Sequence, residues 1–359
     1  MPHALLSGFL GLLALLALVG LYVSYNVPDF TCKGNVSSSF SCHADYYQKL
    51  TAAVGVPRAV VDIKKRAEKE SYTLKECHAL MHEIGRSAGE KADSVGEAFA
   101  EGDPFCATGY YHGVMEGLVE KNGEENLSRE SLDSLCASFR GTEKEFSQEH
   151  YDCAHGIGHG VMDVNHGEVF VALQTCDLLS DEKERHPCWA GVFMENFISM
   201  KIKGFDTKYQ KPEDPLYPCN VIEKKYRRDC YTYQNAFTFE ATGSIEKTFA
   251  ACREIPDEYH HICFQIVGTQ ATLGLTPRSD TSQTRDACLK GENKHREREN
   301  CVIGAVMYII DRDHSYTEGK NFCSSLPEEL QKVCFSTAKI FYDGLSSGKY
   351  VEWIENIPH

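Results

Sequence analysis

Apolar residues fall along this chain in two kinds of run. The first is continuous: Ala4 to Val23 is apolar apart from Ser7 and three glycines, and no charged residue precedes Asp29. At about 1.5 Å per residue such a helix spans roughly 30 Å, the thickness of a bilayer core, so the pattern predicts a transmembrane helix over residues 4–24. The second kind recurs with helical spacing. Segments such as CWAGVFMENFI from Cys188 and CVIGAVMYII from Cys301 are apolar on a helical period, each preceded by a polar, turn-rich stretch. The prediction is an all-α chain, an N-terminal transmembrane helix followed by an α-solenoid of helical hairpins.

The cysteines write the period of that array. The later member of each neighbouring couple recurs at Cys153, Cys188, Cys230, Cys263, Cys301 and Cys334, in steps of 33 to 42 residues, the arithmetic of stacked helix pairs. Neighbours pair as Cys136 with Cys153, Cys176 with Cys188, Cys219 with Cys230, Cys252 with Cys263, Cys288 with Cys301 and Cys323 with Cys334. Cys77 with Cys106 and Cys32 with Cys42 complete the set. Each such loop closure stabilises a hairpin by up to about 3 kcal/mol. Glycine stands three residues after the cysteine at Gly109, Gly156, Gly191 and Gly304. It costs about 1 kcal/mol inside a helix, so its use there predicts close helix approach.

The resulting segments are the anchor at 4–24, a juxtamembrane stretch with a first helix at 25–70, histidine-rich repeats at 71–170, further stapled repeats at 171–345 and a tail at 346–359. Ser199 to Pro218 and Leu273 to Asp286 break the pattern and read as long loops. Over about residues 70 to 345 the layout resembles the cysteine-stapled Sel1-like branch of the tetratricopeptide superfamily. The resemblance implies a stack of helical hairpins and assigns no functional residue.

Composition sets the compartment. Sixteen cysteines, an even number without a CxxC couple, suit an oxidising space outside the cytoplasm. The apolar N-terminus is longer than a usual signal-peptide core of about 7–15 residues and has no basic residue before it, which favours an uncleaved anchor. The alternative is secretion after cleavage. Asn35 and Asn126 head glycosylation sequons. A formal charge of −15 without a basic stretch argues against nucleic acid as a partner.

Histidine changes the picture in the early repeats. The segments CATGYYHGVMEG and CAHGIGHGVMDV share G-x-x-H-G-V-M-acid, and the sixth residue after the cysteine is His112 and His159 where later repeats have Met194, Ala236, Thr269, Met307 and Ile340. Each is followed one helical turn later by a carboxylate, Glu116 or Asp163. His78 and His82 stand at the same i, i+4 spacing upstream, and His155 stands four residues before His159. Imidazole with carboxylate is a ligand set for zinc, iron or manganese, with copper conceivable beside Met81, Met115 and Met162. The predicted metal ligands are therefore His78, His82, His112, His155, His159, Glu116 and Asp163, with Glu83, Glu116 or Asp163 as candidate bases. His166, His186, His260, His261, His295 and His314 fall outside the pattern and are expected at the surface or in loops.

Three functions compete on this reading. A divalent-metal enzyme or carrier uses the histidines as ligands. A non-enzymatic scaffold binds a protein or peptide on the solenoid surface and uses them only for packing. A pH sensor uses their titration. No protease H-E-x-x-H or phosphate-binding glycine loop is present in the sequence.

Overall fold

The computed structural model describes residues 27–36, 38–123, 126–140, 146–202, 208–273, 280–292 and 296–351. Among them every regular element is helical. The first helices are α1 (Phe40–Val54), α2 (Val56–Ala67), α3 (Ser71–Lys75), α4 (Cys77–Gly89), α5 (Val95–Ala100) and α6 (Gly109–Asn122). They are followed by α7 (Arg129–Leu135), α8 (Gln148–Val164), α9 (Val169–Cys176), α10 (Glu182–Ile202), α11 (Lys224–Thr242) and α12 (Ile245–Arg253). The chain ends with α13 (His260–Thr272), α14 (Ser282–Leu289), α15 (Glu297–Asp313), α16 (Tyr316–Ser324) and α17 (Glu328–Ser346). Short helices alternate with long ones from α3 onward, apart from the direct step from α10 to α11.

The long helices pack in chain order, α1 on α4, α4 on α6, α6 on α8, and so on through α10, α11, α13, α15 and α17. The short helices cover their outer side, so the core is one continuous apolar cluster running from Phe40 to Phe341. All sixteen cysteines pair as neighbours, with Cα–Cα separations of 5.4–5.9 Å, and none is free. Staples at such short sequence separation restrict the unfolded chain locally; those from Cys176, Cys252, Cys288 and Cys323 tie a short helix to the long helix that follows it, and Cys77–Cys106 ties the start of α4 to the turn before α6. Eight disulfides place the folded part in an oxidising, extracytoplasmic environment.

Several boundaries differ from the sequence reading. Most long helices begin three to six residues before their cysteine, because acidic residues such as Glu182 and Glu297 favour the first turn through the helix dipole. Helix α10 continues through Ser199 to Ile202, and α14 begins at Ser282, so both expected loops are shorter than their polar composition implied. The segment at 25–70 carries two helices, since Gly55 at φ 83° breaks the run between α1 and α2 and Pro57 suits the first turn of α2. The anchor at 4–24 lies outside the described residues, among which no helix is long and apolar enough to cross a membrane.

Glycine brings the long helices together. A Cβ on Gly109 would lie 2.5 Å from the carbonyl oxygen of His78, one on Gly117 2.5 Å from that of Arg86, and one on Gly156 2.5 Å from Met115 Cβ. Gly191 faces Gly158 and the His155 carbonyl, and Gly304 faces the Gln265 carbonyl, so the same device joins α8 to α10 and α13 to α15. The row also bends back on itself. Gln148 N–H donates to Gly348 at 3.1 Å, Tyr350 N–H donates to Phe146 at 3.1 Å, and the Tyr151 and Tyr350 rings stack with centroids 3.9 Å apart. His314 at the end of α15 approaches the Pro104 carbonyl at 3.3 Å. The C-terminal turn thus closes over α8.

Two glycine substitutions separate packing from propensity. Gly191→Ala places a methyl group 3.0 Å from Gly158 Cα and closer still to the His155 carbonyl, and should destabilise by about 1–3 kcal/mol. Gly96→Ala meets nothing within 4 Å and should leave stability unchanged or raise it by up to about 1 kcal/mol. Urea unfolding of both variants checks this; equal effects would contradict the close-contact account.

Candidate metal centre

Four consecutive long helices carry the site. On α4, His78, His82 and Arg86 stand at i, i+4 and i+8; on α6 the same stripe is His112, Glu116 and Glu120; on α8 it is Tyr151, His155, His159 and Asp163; α10 adds Met194 and Glu195. Glycines occupy the neighbouring positions, so the backbones draw close and the stripes meet. The curvature is tight enough for α4 and α8 to touch across α6. His82 and His159 have ring centroids 4.8 Å apart, and Arg86 reaches Asp163 at 2.9 Å.

The structure brings all five predicted histidines together. His112 is central, with centroids 5.3 Å from His78, 5.4 Å from His82, 4.5 Å from His155 and 5.3 Å from His159. Three sets of donors lie within 4.8 Å of one another: His78, His82 and His112; His112, His155 and His159; and His82, Glu116, His159 and Glu195. Apart from His78, which is partly covered, these groups are buried.

Local structure fixes the ring orientations. Cys106, Ala107 and Thr108 adopt left-handed φ values of 60°, 55° and 60°, a sequence of non-glycine residues in a costly region that the Cys77–Cys106 disulfide holds in place. This turn sets the Cys106 carbonyl 2.9 Å from His78 Nδ1 and the Thr108 hydroxyl 3.3 Å from His112 Nε2. A carbonyl only accepts, so His78 carries its proton on Nδ1. His82 Nδ1 lies 2.6 Å from Glu116 Oε1. Burial would raise the Glu116 carboxyl, but Arg86, His82 and His159 outweigh it and hold it well below the usual range, so His82 Nδ1 is the donor to a carboxylate. In the neutral rings the two Nε2 lone pairs then face each other across 3.0 Å. A shared proton or a metal ion relieves that repulsion; nitrogen ligands at about 2.0–2.1 Å from one ion stand close to this spacing.

His159 repeats the arrangement, with Nδ1 2.9 Å from Glu195 Oε2. A carboxylate behind a ring nitrogen fixes the tautomer and leaves the other nitrogen as a ligand, the usual support of a metal-binding histidine. Buried Nδ1 of His112 has no hydrogen-bond partner among the described atoms. Burial, followed by the neighbouring imidazoles, depresses His112 and His155 well below their ordinary range, and burial with His82 lowers His78 to about 3. Neutral imidazole is the form that binds metal.

The carboxylates divide. Glu116 stands behind His82 and also receives Arg86 at 2.5 Å; Asp163 accepts from Arg86 and belongs to none of the three donor sets; Glu83 lies on another face of α4 and accepts from Gln48 at 2.5 Å. Met81, Met115 and Met162 are core residues, and the Met194 Sδ lies 3.3 Å from His155 Nε2. Glu195 and Arg86 escaped the sequence reading. A signal was present for Arg86, which continues the His78, His82 stripe; Glu195, seven residues after Cys188, stands where α6 and α8 have Gly113 and Gly160. His260, expected at the surface, is buried and donates to the Ile255 carbonyl at 2.9 Å; His150, not singled out, is buried against Glu184 at 2.6 Å.

No protein family, curated protein or solved structure matches the chain.

The buried rings make the apoprotein acid-sensitive. Below about pH 6.5 the unfolded chain takes up protons that neutral His78, His112 and His155 refuse in the fold, so their contribution to stability falls as pH drops, each by up to about 1.4 kcal/mol per pH unit. Burial raises Asp152 well above its usual range and pushes Asp311 up to about 6, so these two hold protons in the fold and act in the opposite sense over part of the window. Three groups outweigh two. Urea unfolding of metal-free protein should show stability declining from pH 7 to 5, and a rise over that interval would contradict the neutral-imidazole assignment.

Proposed function

We propose that this chain is an extracytoplasmic transition-metal protein, a metalloenzyme or metal carrier, whose ions are held by His78, His82, His112, His155 and His159. The observation that carries the reading is the pair of Nε2 atoms 3.0 Å apart, each with its Nδ1 proton committed to an acceptor. A merely structural pair of histidines is expected to donate one N–H into the other ring. Nitrogen and oxygen donors suit zinc, iron or manganese, while the thiols are consumed in disulfides. A bound ion of this kind supplies Lewis acidity or activates water or dioxygen. Glu116 and Glu195 orient rings and are within reach to ligate, and Arg86 keeps Glu116 ionised.

The competing role is a scaffold that binds a protein or peptide on its helical surface, with the histidines packing only. One experiment divides the two. Purified protein exposed to zinc or manganese and then desalted should retain metal, while a His82→Ala/His159→Ala variant should lose most of it. A chelator should lower the melting temperature of the parent, since a ligand at a hundred times its Kd stabilises by about 2.7 kcal/mol. Equal metal content in both proteins, with no chelator effect, would end the metal reading and leave the scaffold.

The apolar run from Ala4 to Val23 makes the protein, in this proposal, a single-pass membrane protein with its folded part outside the cytoplasm. Alkaline carbonate extraction should leave the full chain in the membrane pellet and release a form lacking residues 1–26. Release of both forms would show that the segment is no anchor.

A further inference from the structure

The five histidines are not arranged around one point. His78 and His82 project from α4 on one side of His112, and His155 and His159 project from α8 on the other; His112 belongs to both triads, and the two flanking pairs do not fall into one common set. A single tetrahedral ion takes about four donors within roughly 2.0–2.1 Å. Centred on either triad it would leave the opposite pair without an ion, and centred on the third set, His82, Glu116, His159 and Glu195, it would leave His78, His112 and His155 without one. The geometry is near-symmetric: two i, i+4 pairs face one central ring at centroid distances of 5.3 and 5.4 Å on one side and 4.5 and 5.3 Å on the other.

Each half has its own support. On the α4 side, Cys106 and Glu116 hold the Nδ1 protons of His78 and His82 and turn both Nε2 atoms inward. On the α8 side, Glu195 accepts from His159, and the Met194 thioether lies at His155 Nε2. Among the described residues the central ring has Nδ1 without a hydrogen-bond partner, and its Nε2 lies 3.3 Å from the Thr108 hydroxyl and 3.7 Å from the Asp152 carboxyl.

Resting on the metal site proposed above, we infer that the cluster is a two-ion centre: one divalent transition ion bound by His78 and His82, a second by His155 and His159, with His112 between them as the shared ligand. Sharing is written as an acid–base step. Each nitrogen of His112 gives a lone pair to one ion, and the proton of the neutral ring leaves to solvent, so that loading both ions releases it.

Titration of metal-free full-length protein with zinc, followed by desalting and elemental analysis, should find two ions per chain. His82→Ala and His159→Ala should each retain one, and His112→Ala should bind both more weakly, by tenfold or more. Loading with cupric ion gives an independent readout on the parent alone: two ions joined through one imidazole are magnetically coupled, so the spin integrated from the electron paramagnetic resonance signal should fall well short of the copper bound. One ion per chain, abolished equally by His82→Ala and His159→Ala, would overturn the two-ion centre while keeping the metal site. Two ions with full, uncoupled copper signal would overturn the sharing of His112, and no bound metal would overturn the underlying site itself.

Discussion

The contact on which the site depends is helix against helix at glycine, with α4 and α6 meeting backbone to backbone. At Gly109, Gly113 and Gly117 on α6, and at Gly156, Gly158 and Gly160 on α8, there is no room for a methyl group beside the facing helix. Ordinary side chains at these positions would push the helices apart, and the stripes that now interlock would be separated by a layer of aliphatic packing. The helices give up about 1 kcal/mol of propensity per glycine to achieve this approach. The disulfides complement it: Cys77–Cys106 ties the start of α4 to the turn before α6, Cys136–Cys153 ties the end of α7 to α8, and Cys176–Cys188 ties α9 to α10.

Close approach creates an electrostatic problem that the residues around the rings answer. Buried polar groups left without partners cost more than the hydrogen bonds they might otherwise make. Here Arg86 spans Glu116, Glu120 and Asp163, and Glu116 and Glu195 in turn accept from His82 and His159. The chain of contacts runs from a guanidinium through carboxylates to imidazoles, each group fixing the orientation of the next. Closure of the C-terminal turn onto α8, through the Tyr151–Tyr350 stack, keeps the α8 end of this network covered.

Much of this was legible in the sequence because it is local. The disulfide couples follow from neighbouring cysteines, and the histidine stripe follows from i, i+4 spacing on helices whose apolar faces were already evident. Glu195 was hidden because it stands seven residues after Cys188, where α6 and α8 have Gly113 and Gly160. Arg86 was hidden because its carboxylate partners lie on other helices, 30 and 77 residues away in the chain. Glu83 appeared equivalent to Glu116 by type, and only the packing of α1 against α4 shows that it serves Gln48 instead. Nor does any local pattern announce that α4 and α8 meet across α6.

The account stands on imidazole nitrogen, and not sulfur, as the ligand. X-ray absorption fine structure of the zinc-loaded protein tests it directly. The expected result is a nitrogen and oxygen shell at about 2.0–2.1 Å with the outer-shell scattering of imidazole rings. A shell dominated by sulfur near about 2.3 Å, or one lacking imidazole scattering, would contradict it.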